Sequence, residues 1–163
     1  MQRFTPSGTV LKVFEPLALQ NRSQKMSKNE TWRTRKYWSS VGGLLIEEFH
    51  AIRSDVPNNI SKRAIDGVIV LGEVNAIQVG GNYDFKGKDI IVVQTKSNRL
   101  GMYLMGQAYY SGLIMKRFEP RSIKAVAICG KSDAEMEKLC EESGVEVLVL
   151  PDLEYVDPDL YLK

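Results

Sequence analysis

Three segments rich in branched apolar residues, Leu44–Ile52 (LLIEEFHAI), Arg63–Leu71 (RAIDGVIVL) and Asp89–Lys96 (DIIVVQTK), follow one another before a long helical pattern intervenes. Runs of this length and composition form strands. A helical pattern then covers about Met102 to Phe118 and stops at Pro120, followed by a buried strand at Ser122–Cys129 (SIKAVAIC). Asp133–Ser143 reads as an amphipathic helix with Met136, Leu139 and Cys140 inward, closed by Gly144, and Val145–Leu150 (VEVLVL) as the last strand. Upstream, Ser27-Lys28-Asn29-Glu30 has the spacing of a capping box for a helix over Thr31–Ser40 that ends at Gly42-Gly43. The order α-β-β-β-α-β-α-β predicts a three-layer α/β domain around a mixed sheet. The Met102–Phe118 helix is apolar on nearly every side and should be covered by more than the sheet.

A chain of 163 residues with 44% apolar content has enough surface to bury for one self-sufficient core. It contains no run near the roughly 20 apolar residues that span a bilayer, and MQRFTPSGTV lacks the apolar heart of a secretory signal. A cytoplasmic protein without a membrane partner is expected. Cys129 and Cys140, with no CxxC or histidine-containing spacing around them, read as reduced buried thiols. His50, the single histidine, rules out zinc held by several imidazoles and two-histidine acid–base chemistry. A triad through His50 has no GxSxG elbow to support it.

Charge is uneven. Residues 1–38 carry eight Lys/Arg against two acids, whereas 39–163 carry fourteen against eighteen. A basic front on a near-neutral domain fits either a phosphate-binding arm or a solubilising tail. Residues 1–28 are accordingly set apart as a basic arm or strand, and 29–163 as one domain. Within that domain the long stretch Gly72–Lys88, with Gly80-Gly81 and Lys86-Gly87-Lys88, reads as an inserted β-hairpin.

The residues most suggestive of chemistry interrupt the strands. Asp66 breaks an apolar run, and a carboxylate there needs a partner to offset its desolvation. Gln94-Thr95-Lys96 close the third strand, where alternation aims Gln94 and Lys96 to one side and Thr95 to the other. Asp66 and Lys96 by themselves would also make an ordinary cross-strand ion pair. Glu47 and Glu48 on the first strand face opposite ways, so one of them could join Asp66.

Together, the element order, the acid on the second strand and the x-Lys triplet on the third resemble the PD-(D/E)XK nuclease superfamily over roughly Thr31 to Leu150. The resemblance implies a restriction-endonuclease-like fold and a Mg²⁺- or Mn²⁺-dependent endodeoxyribonuclease of restriction or recombination type. Carried over, Asp66 becomes the central metal ligand, with Gln94 and the Thr95 carbonyl as further oxygens, and Lys96 orients the attacking water. Gln94 departs from the family's usual acid, as in Mrr-like members. An amide oxygen still suits Mg²⁺ but adds no charge, so a Gln94→Glu change should tighten divalent binding. Glu47 or Glu48 would complete the site. Glu30 matches a helix-borne glutamate of some members, although its capping-box role explains it as well.

On the long helix, Tyr103, Gln107, Tyr110 and Ile114 share a face. Gln107 and Tyr110 resemble the glutamine-tyrosine motif of the recombination-exonuclease branch, with a spacing one residue shorter than usual. With Arg63 and Arg99 they form the expected DNA contacts. A second subunit as homodimer partner would help specificity, since the chain leaves little room for a separate reading domain. The alternative is a catalytically inactive relative that kept the fold as a nucleic-acid-binding or assembly subunit.

Overall fold

The computed structural model describes residues 7–12, 28–152 and 158–162. Its elements run β1 (Ser7–Lys12), α1 (Lys28–Val41), β2 (Leu44–Ile52), β3 (Arg63–Val70), β4 (Ala76–Asn82), β5 (Asp89–Thr95), α2 (Met102–Met115), β6 (Ser122–Cys129), α3 (Ala134–Glu142) and β7 (Val145–Val149). Seven strands form one mixed sheet in the order β1-β4-β2-β3-β5-β6-β7. The β2–β3 and β3–β5 pairs are antiparallel, while β5–β6 and β6–β7 are parallel. Among the described residues no helix is long and apolar enough to cross a membrane.

Alternation divides the core. Leu45, Ile69, Val93, Val126 and Ile128 pack with Trp32, Tyr37 and Trp38 of α1 on one face. Ile46, Val68 and Val92 pack toward Met115 of α2 on the other. There Leu104 and Ala108 of α2 also meet Cys140 of α3. Helices therefore flank both faces, as the α/β pattern predicted. Both cysteines are buried free thiols, and burial pushes both above the usual thiol range.

The connection from α1 to β2 shows why glycine is needed. Gly43 adopts φ +88°, and a Cβ there would lie 2.3 Å from the Val70 carbonyl oxygen. Trp38 Nε1 donates to the Gly43 carbonyl at 2.8 Å, and Gly43 N donates to Asn75 Oδ1 at 2.8 Å. Helix, sheet and the β3–β4 turn are locked at one point.

Two expectations change. The stretch 72–88 is not an inserted hairpin: β4 enters the main sheet parallel to β2 and pairs antiparallel with β1. Gly80 and Gly81, read as a turn, have positive φ where the β1–β4 register shifts, so they form a bulge. Beyond it, Lys86 and Gly87 form an exposed turn with Lys86 near Glu119, Lys88 pairs with Glu73, and Phe85 is buried against Phe49 and Phe118. Second, α2 is covered by α3 as well as by the sheet, as expected, but less completely than its apolar composition suggested, since Met102, Tyr103, Tyr109, Tyr110 and Leu113 are exposed. Leu139 of α3, expected to face inward, is also exposed. Of the two readings of the basic front, arm or strand, Ser7–Lys12 takes the second as a strand of the sheet. The remaining cations before Lys28 lie outside the described residues.

Candidate active site

The β3–β5 ladder pairs Val70 with Ile90 and continues to Gly67 with Val93. At the next position Asp66 and Gln94 would face each other, but β5 turns away to follow β6, where Thr95 pairs with Ile128 and Lys96 N donates to the Ile128 carbonyl at 2.9 Å. The backbone N–H left behind by this divergence needs an acceptor. Asp66 supplies it, its Oδ2 accepting from Thr95 N at 2.8 Å.

A second irregularity lies directly across β3. Glu47 pairs with Gly67 and Phe49 with Ile65, so Glu48 stands opposite Asp66, and Glu48 has the left-handed φ of 50°. That conformation is uncommon for a non-glycine residue and breaks the two-residue alternation. Leu45 and Ile69 face α1, yet Phe49 and Ile65 join the cluster on the α2 side. Reversal on both strands carries Asp66 to the α1 side, opposite the facing that simple alternation from Val68 would assign. Gly67 makes room there, since a Cβ on it would come within 2.9 Å of Thr34 Cγ2.

Around Asp66 the charges are mixed. Desolvation pushes its carboxyl up from 3.8 to about 6, and the nearby carboxylates of Glu30 and Glu48 add to the rise. The Thr95 N–H and the Lys96 ammonium oppose it. Lys96 Nζ lies 3.3 Å from Glu30 Oε1, both side chains being partly exposed. Glu30 thus reaches from α1 to the end of β5. The capping reading placed it at Ser27, which lies outside the described residues.

The expected companions divide between two places. Asp66, Glu48, Lys96 and Glu30 meet on the α1 side of the strand ends. Glu47 does not join them: it is buried and bound by Arg35 through Nε at 2.7 Å and Nη2 at 3.0 Å. Gln94 and Lys96 were expected to point together, but Lys96 lies beyond the last β5 residue, where alternation no longer governs. Gln94 instead turns to α2, its Nε2 donating to Ser111 Oγ at 2.8 Å. Thr95 faces α1, with its Oγ1 3.0 Å from Thr34 Oγ1.

On the α2 side a cavity of about 730 Å³ is lined by Gln94, Arg63, Gln107 and Tyr110, and by Tyr103 and Ile114, the other two residues of the expected helix face. Arg99 lies elsewhere, exposed and donating to the Ser132 carbonyl at 3.1 Å. His50 is exposed on β2 opposite Ala64. Sequence reasoning did not single out Arg35, Thr34 or Ser111, whose contacts come from chain segments far apart in sequence.

Among the described residues no three His, Cys, Asp or Glu side chains form a ready cluster around one point. What stands there is one desolvated carboxylate, Asp66, with Glu30 and Glu48 nearby, and carboxylate oxygens of this kind are the ligand type that hard cations take. No family model, curated protein or solved structure matches the chain.

Proposed function

We propose that the chain is a Mg²⁺-dependent endodeoxyribonuclease with a PD-(D/E)XK-like, restriction-endonuclease-like arrangement, acting on DNA phosphodiester bonds. The observation that carries this reading is the Asp66 carboxyl, desolvated and surrounded by Glu30, Glu48 and Lys96 where β3 and β5 part. A carboxyl pushed to about 6 without a strong cationic partner is an expensive arrangement for structure alone, and perturbed groups of this kind concentrate at functional sites.

In hydrolysis the oxygen of water forms a bond to phosphorus, the bond from phosphorus to one sugar oxygen breaks, and water's proton is lost as the leaving oxygen gains one. Asp66 would hold the cation, with the carboxylates of Glu30 and Glu48 nearby and the Thr95 carbonyl as a further candidate oxygen. A bound Mg²⁺ or Mn²⁺ supplies charge to offset the transferring phosphate and lowers the pKa of attacking water. Lys96, kept in place by Glu30, presents an ammonium donor that orients that water and draws in the phosphate. Glu47 has no part in this chemistry, because its two oxygens are taken by Arg35.

Supercoiled plasmid and labelled duplex, incubated with Mg²⁺ or Mn²⁺, test the proposal. Asp66→Asn and Lys96→Met should each lower cleavage at least a hundredfold while leaving the circular-dichroism spectrum unchanged. Full activity in Asp66→Asn would end the assignment.

One observation favours the inactive alternative: Gln94 is neutral and its amide is held by Ser111 across the sheet from Lys96. If the native protein binds DNA yet cuts none with either cation, the chain is a silent relative.

A further inference from the structure

We propose that the α2-side cavity is a pocket for an unpaired nucleobase, so that the DNA engaged is single-stranded or splayed open at the strand ends. This deepens the nuclease reading and rests on it for the identity of the ligand as DNA. The cavity, about 730 Å³, falls within the roughly 300–1,000 Å³ of small-molecule pockets, ample for one nucleoside.

Its walls carry three kinds of chemistry. Tyr103 and Tyr110, two helical turns apart on the same face, are 73% and 62% exposed. Exposed rings of this kind offer stacking surfaces that accept any base. Gln94 and Gln107 are among its lining residues; the Gln94 amide donates to Ser111 Oγ, and the Gln107 Oε1 is buried with no hydrogen-bond partner, so a ligand reaches it by a turn of that side chain. A buried, unanswered acceptor costs free energy until a donor arrives, and base edges carry such donors. Lys62 and Arg63, exposed where β3 begins, place cations at the wall beside the rings.

The pocket shares its wall with the proposed site. Ile65 and Gln94 line it, while Asp66 and Lys96, their neighbours in the chain, stand on the other side of the same strand ends. Arg63 lies three residues before Asp66, about 10 Å along an extended strand. A strand whose base enters beside Tyr110 therefore runs its backbone from the Arg63 cation toward Asp66. A base inside an intact duplex cannot reach such a pocket, because it must first leave the stack. A second copy of the chain would also cover the tyrosines, but interface cores are depleted in lysine, and it has no special reason to satisfy Gln107.

Fluorescence anisotropy without divalent cation, using labelled 12-nucleotide DNA on the full-length protein, tests the pocket separately from cleavage. The single strand should bind at least tenfold more tightly than the blunt duplex of the same sequence. Tyr110→Ala should weaken single-strand binding about tenfold, as loss of one stacking partner does elsewhere, whereas Tyr110→Phe should retain it. An abasic strand should bind the native protein as weakly as the normal strand binds Tyr110→Ala. Thermal melts of both variants establish that they are folded. Equal affinity for strand and duplex, or no effect of Tyr110→Ala, overturns the proposal. So does a dimer in sedimentation that dissociates on Tyr110→Ala with strand affinity unchanged. Cleavage by the native protein is scored in a separate assay with Mg²⁺, so single-strand preference without cutting concerns the nuclease reading alone.

Discussion

The two sides of the β3–β5 strand ends are built to opposite rules. Toward α1, most charges are paired: Arg35 holds Glu47 in a pair almost wholly removed from solvent, Arg33 reaches the Leu150 carbonyl and Asp152, and Lys96 meets Glu30, while Asp66 is left desolvated. Toward α2, the cavity is edged by exposed rings and cations, and Gln107, one of its lining residues, has an unanswered amide oxygen. One strand pair thus divides its work. The α1 side needs precise anchoring because misplaced charge is expensive at low dielectric. The α2 side has an apolar core of its own between sheet and helix, but at the strand ends it leaves the cavity open.

The largest effect expected from breaking this contrast is on the α1 side. Arg35→Met should lower unfolding free energy by about 3–5 kcal/mol, because Glu47 is left charged and buried. Urea titration measures it, and replacing both partners with methionine should recover much of the loss. A single-variant loss below 1 kcal/mol would mean the pair is far wetter than its burial indicates.

Asp66 provides the second test, with the opposite sign. Its pKa is higher folded than unfolded, so between about pH 4 and pH 6 the folded state binds the extra proton. Stability of the metal-free protein should therefore fall as pH rises through that window and level off above it. A shift of some two units corresponds to about 3 kcal/mol. Asp66→Asn, which keeps an acceptor for Thr95 N, should be more stable than the native protein at pH 8 by up to about that amount and nearly equal to it at pH 4. Denaturant midpoints at the two pH values check the sign, and parallel curves would refute it.

Gly67→Ala comes next. Its methyl would meet Thr34 Cγ2 at 2.9 Å and Leu45 Cδ1 at 3.1 Å, and a β-branched side chain in a helix has few rotamers to escape into. A loss of about 1–3 kcal/mol is expected in thermal or urea unfolding. On the α2 side the effect should be smallest: Tyr103→Ala and Met102→Ala, both largely exposed, should change stability by no more than about 0.5 kcal/mol. A greater loss from either would show that these exposed side chains also support the fold.

Much of this architecture was readable because strands and helices announce themselves through period and branched residues. Asp66 and Lys96 stood out as polar breaks in apolar runs, and Tyr103, Gln107, Tyr110 and Ile114 were placed together correctly by helical spacing. β4 was not readable. Ala76–Asn82 ends in two glycines, a pattern equally suited to a hairpin turn and to a bulge, and its place between β1 and β2 depends on partners distant in sequence. The reversal at Glu48 also left no mark, since a glutamate at positive φ is held there by its surroundings and not by its own preference. Alternation consequently misassigned the facing of Gln94 relative to Lys96, and the capping pattern gave no reason to expect Glu30 at the end of β5. Helix α2 misled in the other direction: apolar composition suggested cover, whereas several of its aromatic rings are outside.

The pairing of β1 with β4 also bears on how the chain is made. Ser7 meets Asn82, so β1 waits for some seventy residues before its neighbour exists. Closing so long a loop is entropically slow compared with the hairpin-like β2–β3 contact. Until it closes, β4 offers an unpaired row of backbone donors and acceptors, the surface through which sheets of different molecules join. Removal of the first dozen residues would therefore do more than subtract positive charge. Its earliest sign should be aggregation during expression, and a tag fused ahead of Ser7 would compete for the same edge.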